Sequence, residues 1–398
     1  MLSQKFNHNI LKYIAQWHSI DGHDTFSIKH AWYKRQYHYL KIRYQLKRVI
    51  KRFSEEDFSS ESLDLSRLKD DPTLTKLLEA WLQFDVKQLE HTLNGDYAQA
   101  TEQFINRARS LWPEMPQSEI FQALRNVWIM IAIQIIAKVP VKLTDAMFAY
   151  SMLYPLTDNV IDHPELSEAD KAAFVKRLGM RLNGLPIEHI SKHEKDAFDM
   201  VALIESMFNR AQYPEVYSSI LLIHDAQKRS ISQQYEALDV NDIMQLSFEK
   251  GAASVIADGY LVLGHLTDAF LEFLTAYGIV LQLADDLQDI EDDAKIGHKT
   301  LFNSQQSRKQ LAEITEKLSA LSMEILDRIP TDDVALKAQM ATLLGKSMQV
   351  LICDAIQQHE MLYTKPFYKH VNASHITGLK NHARLRDMTQ TLTKKTFY

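Results

Sequence analysis

Apolar residues along this chain recur at intervals of three and four, the spacing of a helix that buries one face. The pattern is clear over residues 28–53, where Ile28, Trp32, Tyr39, Ile42, Leu46, Val49 and Phe53 form a stripe interrupted only at Arg35. Between them stand Lys29, Lys34, Lys41, Arg43, Lys47 and Arg48, among other cations, and no acidic residue. The spacing predicts one amphipathic helix with a cationic face. That face can be a solvated surface, or it can dock on an anionic membrane.

An acidic, serine-rich stretch over 54–73 reads as a connection, and Pro113 with Pro116 marks a second break. From Gln117 onward the helical spacing continues, with breaks expected near Pro164, residues 183–186, Pro214, Asn303 and Pro330. The longest apolar run, 127–141, includes Gln134, Lys138 and Pro140 and is shorter than the roughly 20 residues that span a bilayer. It is expected to be a buried core helix. No segment alternates convincingly as a strand. The predicted fold class is all-α, with a helical extension over 1–116 and a helical bundle over 117–398.

Composition sharpens this picture. Eleven glycines and ten prolines in 398 residues are too few for a turn-dense sandwich or barrel. The single Cys353 excludes an internal disulfide framework, and a cysteine-built zinc site with it. The first residues lack the apolar run of a secretory signal, so a cytoplasmic location is expected. A net charge of −6 argues against a nucleic-acid partner.

Two acid-rich segments carry the candidate chemistry. In the first, Asp158 and Asp162 lie four residues apart at the end of an apolar helical stretch. That spacing puts both on one face, where they repel each other and oppose the partial negative charge of a helix C-terminus. In the second, Asp285, Asp289 and Asp293 share one face over two turns, with Asp286 beside them. Hard carboxylate oxygens in such a column suit Mg²⁺, which binds through one or two carboxylates, waters and substrate phosphates. The competing reading is a solvated acidic helix end, balanced by Lys295 and Lys299.

An anion held there needs cationic donors. Lys250, followed by the small residues Gly251 and Ala252, is the best placed, and those residues would let a ligand approach the backbone closely. Arg229 and Lys299 are further candidates, whereas Lys228 is expected at the surface and Arg125 in a structural pair.

These segments resemble the class I isoprenoid synthase superfamily, which includes trans-prenyltransferases, squalene and phytoene synthases and terpene synthases. The resemblance covers roughly residues 117–358. The segment from Asp158 to Asp162 is similar to the first aspartate-rich motif, with Asn159 replacing its usual second aspartate. The run from Gln282 through Asp289 matches the second motif, and Lys250 with Gly251 resembles its diphosphate-contacting element. The family implies a helical bundle around a deep apolar cavity and a cluster of three magnesium ions, with Mn²⁺ as a substitute. It implies an allylic prenyl diphosphate as substrate, with Lys250, Arg229, Lys299 and Gln282 around the diphosphate. Trp128, Phe148, Tyr154, Phe248, Tyr260 and Tyr277 are the candidate cavity aromatics.

Elongating members bind a second diphosphate through basic motifs that are not evident here; an acidic stretch follows Asp162. Terpene synthase chemistry is therefore expected first, as a lyase. A prenyltransferase, chain-elongating or head-to-head, is the second reading, and a non-catalytic helical partner subunit of a prenyl synthase the third. A homodimer and a peripheral membrane contact through residues 28–53 complete the expected associations.

Overall fold

A computed structural model describes residues 2–22, 25–55, 76–77, 80, 95–161, 166–235 and 237–397. The side chains of 52–55, 158–159, 161, 168, 235 and 389–397 are outside that description. The chain is all-α, and the described residues contain no strand. The helices are α1 (Leu2–Ser19), α2 (Trp32–Glu55), α3 (Gly95–Leu111), α4 (Gln117–Ile136), α5 (Asp145–Ile161), α6 (Glu168–Leu182), α7 (Lys192–Met207) and α8 (Pro214–Ser230). They continue with the short α9 (Ser232–Tyr235), then α10 (Val240–Leu263), α11 (Asp268–Gln288), the short α12 (Ile290–Lys295), α13 (Arg308–Glu324), α14 (Val334–Gln358), α15 (Lys365–Ser374) and α16 (Leu379–Phe397). The expected connection over 54–73 falls almost wholly outside the described residues.

The centre of the bundle is the α10–α11 hairpin, onto which α1, α4, α8 and α14 pack. Both helices begin on a side-chain cap. Asp239 and Asp242 form a reciprocal capping box at α10, and the Thr267 hydroxyl accepts from the Phe270 amide at α11. Each cap satisfies backbone donors that have no helical partner. The hairpin closes tightly because Gly251 faces Gly278. A Cβ on Gly251 would stand 2.3 Å from the Gly278 carbonyl oxygen, and one on Gly278 would stand 2.2 Å from the Gly251 oxygen. The small residue after Lys250 therefore serves the approach of a helix, not of a ligand as the sequence suggested.

One apolar core runs from Leu2 to Leu379, and the boundary at residue 116 does not divide it. Helix α1 contributes Phe6, Ile10, Tyr13 and Trp17, and Trp17 meets Phe248 edge to face at 6.1 Å. Helix α2 is different. It packs through Ile42, Leu46 and Val49 in a small separate cluster with Leu385 of α16. Ile28 and Trp32, assigned to that stripe from spacing, are instead exposed, because the helix starts only at Trp32.

The apolar run 127–141 is not one helix. Helix α4 ends at Ile136, and Lys138 adopts φ 57°, a left-handed conformation that breaks the turn. The buried Gln134 amide bridges the break, donating to the Lys142 carbonyl at 3.0 Å and accepting from the Lys142 amide at 3.2 Å. By length and composition α4 could cross a membrane, but half of its apolar window is buried in the bundle.

Candidate active site

Helices α4, α5, α6, α8, α10 and α11 line an open cavity of about 780 Å³, within the range of small-molecule sites. Its walls are chemically sorted. Everything that α10 and α11 present is polar: Lys250, Ser254, Gln282, Asp285, Gln288 and Asp289. Most of the opposing surface is apolar or aromatic, including Phe121, Trp128, Ile129, Leu153, Tyr154 and Leu178.

The acidic wall differs in detail from a straight carboxylate column. Helix α11 ends at Gln288, and Asp289 is its C-cap with φ −98° and ψ 14°. Asp285 and Asp289 both face the cavity, one turn apart. Burial and the neighbouring Asp285 and Asp292 carboxylates raise the Asp289 pKa, with Arg125 and His359 opposing. Asp286 turns away. It is buried against α10, accepting from Gln282 Nε2 at 2.7 Å and from the Ser247 hydroxyl at 3.0 Å. Burial pushes it up to about 6 despite those bonds and the nearby Lys250. Asp293 lies past the helix break. Burial, with the charges of Asp286 and Asp289, pushes it up to about 7. The expected alignment of Asp285, Asp289 and Asp293 on one continuous helix is thus broken at Asp289.

Lys250 and Gln282 line the cavity as expected. Arg125, assigned to a structural pair, also lines it, and its guanidinium sits 3.6 Å from Asp285. Arg229 does not reach it. The cavity-facing register of α8 is Ile220, Ile223, His224 and Gln227, and Arg229 lies on another face, ion-paired to the buried Glu249. Lys299 lies outside as well, with its backbone bonded to Gln233 in both directions. Lys228 is exposed near Asp225, as expected.

Of the six aromatic candidates, Trp128 and Tyr154 line the cavity. The other four serve the core: Phe148 packs on Phe104 and Trp112, Phe248 on Trp17, Tyr277 on Phe273, and Tyr260 is buried outside the lining. Tyr150, Tyr154 and Thr157 of α5 face the cavity, and Asp158 follows one turn after Tyr154 in the same helix. The Asp158 side chain and the whole of Asp162 are outside the described residues.

Sequence reasoning missed His224, Gln227 and Asn126 in the lining, and Asp258 beneath it. The spacing of Ile220, Ile223, His224 and Gln227 could have revealed the first two. Asp258 lies one turn beyond Ser254 on α10, fully buried, with the Asn126 side chain as its polar neighbour. Burial raises its pKa well above the carboxylate range, only partly offset by Asn126.

No protein-family model, curated protein or solved structure matches this chain. The functional reading therefore rests on the geometry and the motifs.

Proposed function

We propose that this chain is a magnesium-dependent class I terpene synthase, which ionises an allylic prenyl diphosphate and converts the hydrocarbon cation to a terpene hydrocarbon or alcohol. The observation that carries this reading is the sorted cavity, in which α10 and α11 contribute only polar groups while most of the opposing surface is apolar or aromatic. Such a chamber fits a ligand with one highly charged end and a long apolar body.

The donor set fits magnesium shared with a diphosphate. Asp285 and Asp289 offer two carboxylates one turn apart, the number Mg²⁺ takes from protein when phosphates and waters supply the rest. Among the described residues no three histidine, cysteine or acidic side chains stand together as a metal site by themselves, so a cage built from those residues alone does not fit. Asp158 and Asp162 are proposed to approach the same metals from α5 and the residues after it. When bound, magnesium neutralises the diphosphate and makes it a better leaving group.

The chain's own groups do the rest. Lys250 and Arg125 supply cationic N–H donors to the diphosphate oxygens; Arg125 exchanges its contact with Asp285 for one with the anion. Gln282 donates to Asp286, fixing both side chains beside the site. After the carbon–oxygen bond breaks, the faces of Trp128 and Tyr154 favour the allylic cation through their ring quadrupoles. The cation then loses a proton, giving a hydrocarbon, or takes up a water and loses a proton, giving an alcohol.

The test is incubation with Mg²⁺ and a series of prenyl diphosphates, with and without isopentenyl diphosphate, followed by mass spectrometry. Hydrocarbon or alcohol from a single allylic diphosphate is expected. Product that forms only when a second diphosphate is supplied would replace this reading with a prenyltransferase.

A further inference from the structure

Helix α2 has two apolar faces, and only one is buried among the described residues. Ile42, Leu46 and Val49 are buried against α16. At about 100° per residue, Tyr33, Tyr37, Leu40 and Tyr44 fall in a second stripe about 180° around the helix from the first. All four are 56% to 66% exposed, and Trp32 at the head of the helix is 68% exposed. Lys41 and Arg48 border this stripe on one side and Lys47 on the other, all exposed, with no acidic residue between 28 and 53. Arg48 lies 5.8 Å from the Tyr44 ring.

The placement of α2 adds a second observation. Arg35 donates to the Asn372 carbonyl at 2.8 Å, and the His30 amide donates to the Ala373 carbonyl at 2.9 Å. Both bonds hold the head of α2 to the end of α15, so that the helix has a fixed position while its second stripe stays exposed.

We propose that α2 is an interfacial anchor that lays Tyr33, Tyr37, Leu40 and Tyr44 into the headgroup region of an anionic lipid bilayer. Tyrosine and tryptophan favour that boundary, where the ring is half in hydrocarbon and the polar edge in water. The flanking lysines and arginine extend to lipid phosphates, as in helices that lie in the membrane plane. Single-stranded nucleic acid would stack its bases on the tyrosines, but Leu40 in the middle of the stripe has no ring to stack on and suits hydrocarbon, so a membrane is the occupant the stripe fits. The net charge of −6 does not prevent docking, since at a Debye length of about 10 Å the membrane senses the nearest face.

Co-sedimentation of the full chain with phosphatidylcholine vesicles, and with vesicles of equal parts phosphatidylcholine and phosphatidylglycerol, tests the proposal. Binding to the anionic vesicles is expected at about 0.1 M salt, with little binding to neutral ones and release at high salt. Tyr33→Ser, Tyr37→Ser, Leu40→Ser and Tyr44→Ser combined should weaken binding at least about tenfold, with an unchanged melting temperature since all four are exposed. Lys34→Gln, Lys41→Gln and Lys47→Gln combined should remove the preference for anionic lipid. Absence of binding, binding indifferent to lipid charge, or quadruple-variant binding equal to wild type would each overturn it. So would tighter binding to single-stranded RNA that the same substitutions abolish.

Discussion

Three aspartates within five residues of one another, Asp285, Asp286 and Asp289, have different roles because the helix points them in different directions. Asp285 and Asp289 face the cavity, so replacing either with Asn should lower turnover at least about a hundredfold while leaving the melting temperature near wild type. Asp286 is buried against Ser247 and Gln282, and its replacement acts on stability. Its pKa in the folded chain is pushed up to about 6 from an ordinary 3.8. A raised folded pKa means that its stabilising contribution is complete below about 3.8 and lost as pH rises through about 6. Metal-free protein should therefore lose stability between about pH 4 and pH 7, and Asp286→Asn should make that decline shallower. Urea denaturation in chelator at several pH values checks this; parallel slopes for the two proteins would contradict it. Asp258 follows the same sign, so Asp258→Asn should raise the melting temperature at neutral pH.

The helices themselves were largely legible in the sequence. Breaks at Pro214, at residues 183–186 and near Asn303 and Pro330 coincide with helix ends because proline and glycine act locally. Breaks set by tertiary contacts were not legible. The end of α4 depends on Gln134 bridging to Lys142, and the end of α11 at Asp289 follows no proline or glycine. The same limit explains the stripe on α2: spacing found Ile42, Leu46 and Val49, but which apolar face α16 covers is a matter of packing. Gly251 was read as room for a ligand, whereas together with Gly278 it sets the α10–α11 distance. Gly251→Ala or Gly278→Ala should cost about 1 to 3 kcal/mol, because the clash is with backbone that cannot rotate away. Chemical denaturation measures that loss, and an unchanged midpoint would show that the hairpin is looser than described.

For the molecule as a whole, Asp285, Asp289, Lys250 and Gln282 line one wall of the cavity, whereas Asp286 and Asp293 do not join them. The opposite wall was less legible. Only Trp128 and Tyr154 of the six expected aromatics line it, since an aromatic at helical spacing looks the same whether its neighbour is a helix or a cavity. Arg125 and Arg229 exchange their expected places, because the ion pair each makes, with Asp285 or Glu249, depends on which helix is adjacent. A single core joining α1 to the bundle also means that truncation before residue 117 should unfold the protein, not free an active domain.

The central claim is that the Asp285 and Asp289 wall, with metal, expels diphosphate from an allylic substrate. Diphosphate release from a panel of prenyl diphosphates tests it most directly. The wild-type chain is expected to release diphosphate in Mg²⁺, and that release is expected to be lost in chelator and in Asp285→Asn under the same conditions. Release that persists undiminished in chelator or in Asp285→Asn, or no release from any prenyl diphosphate, would contradict it.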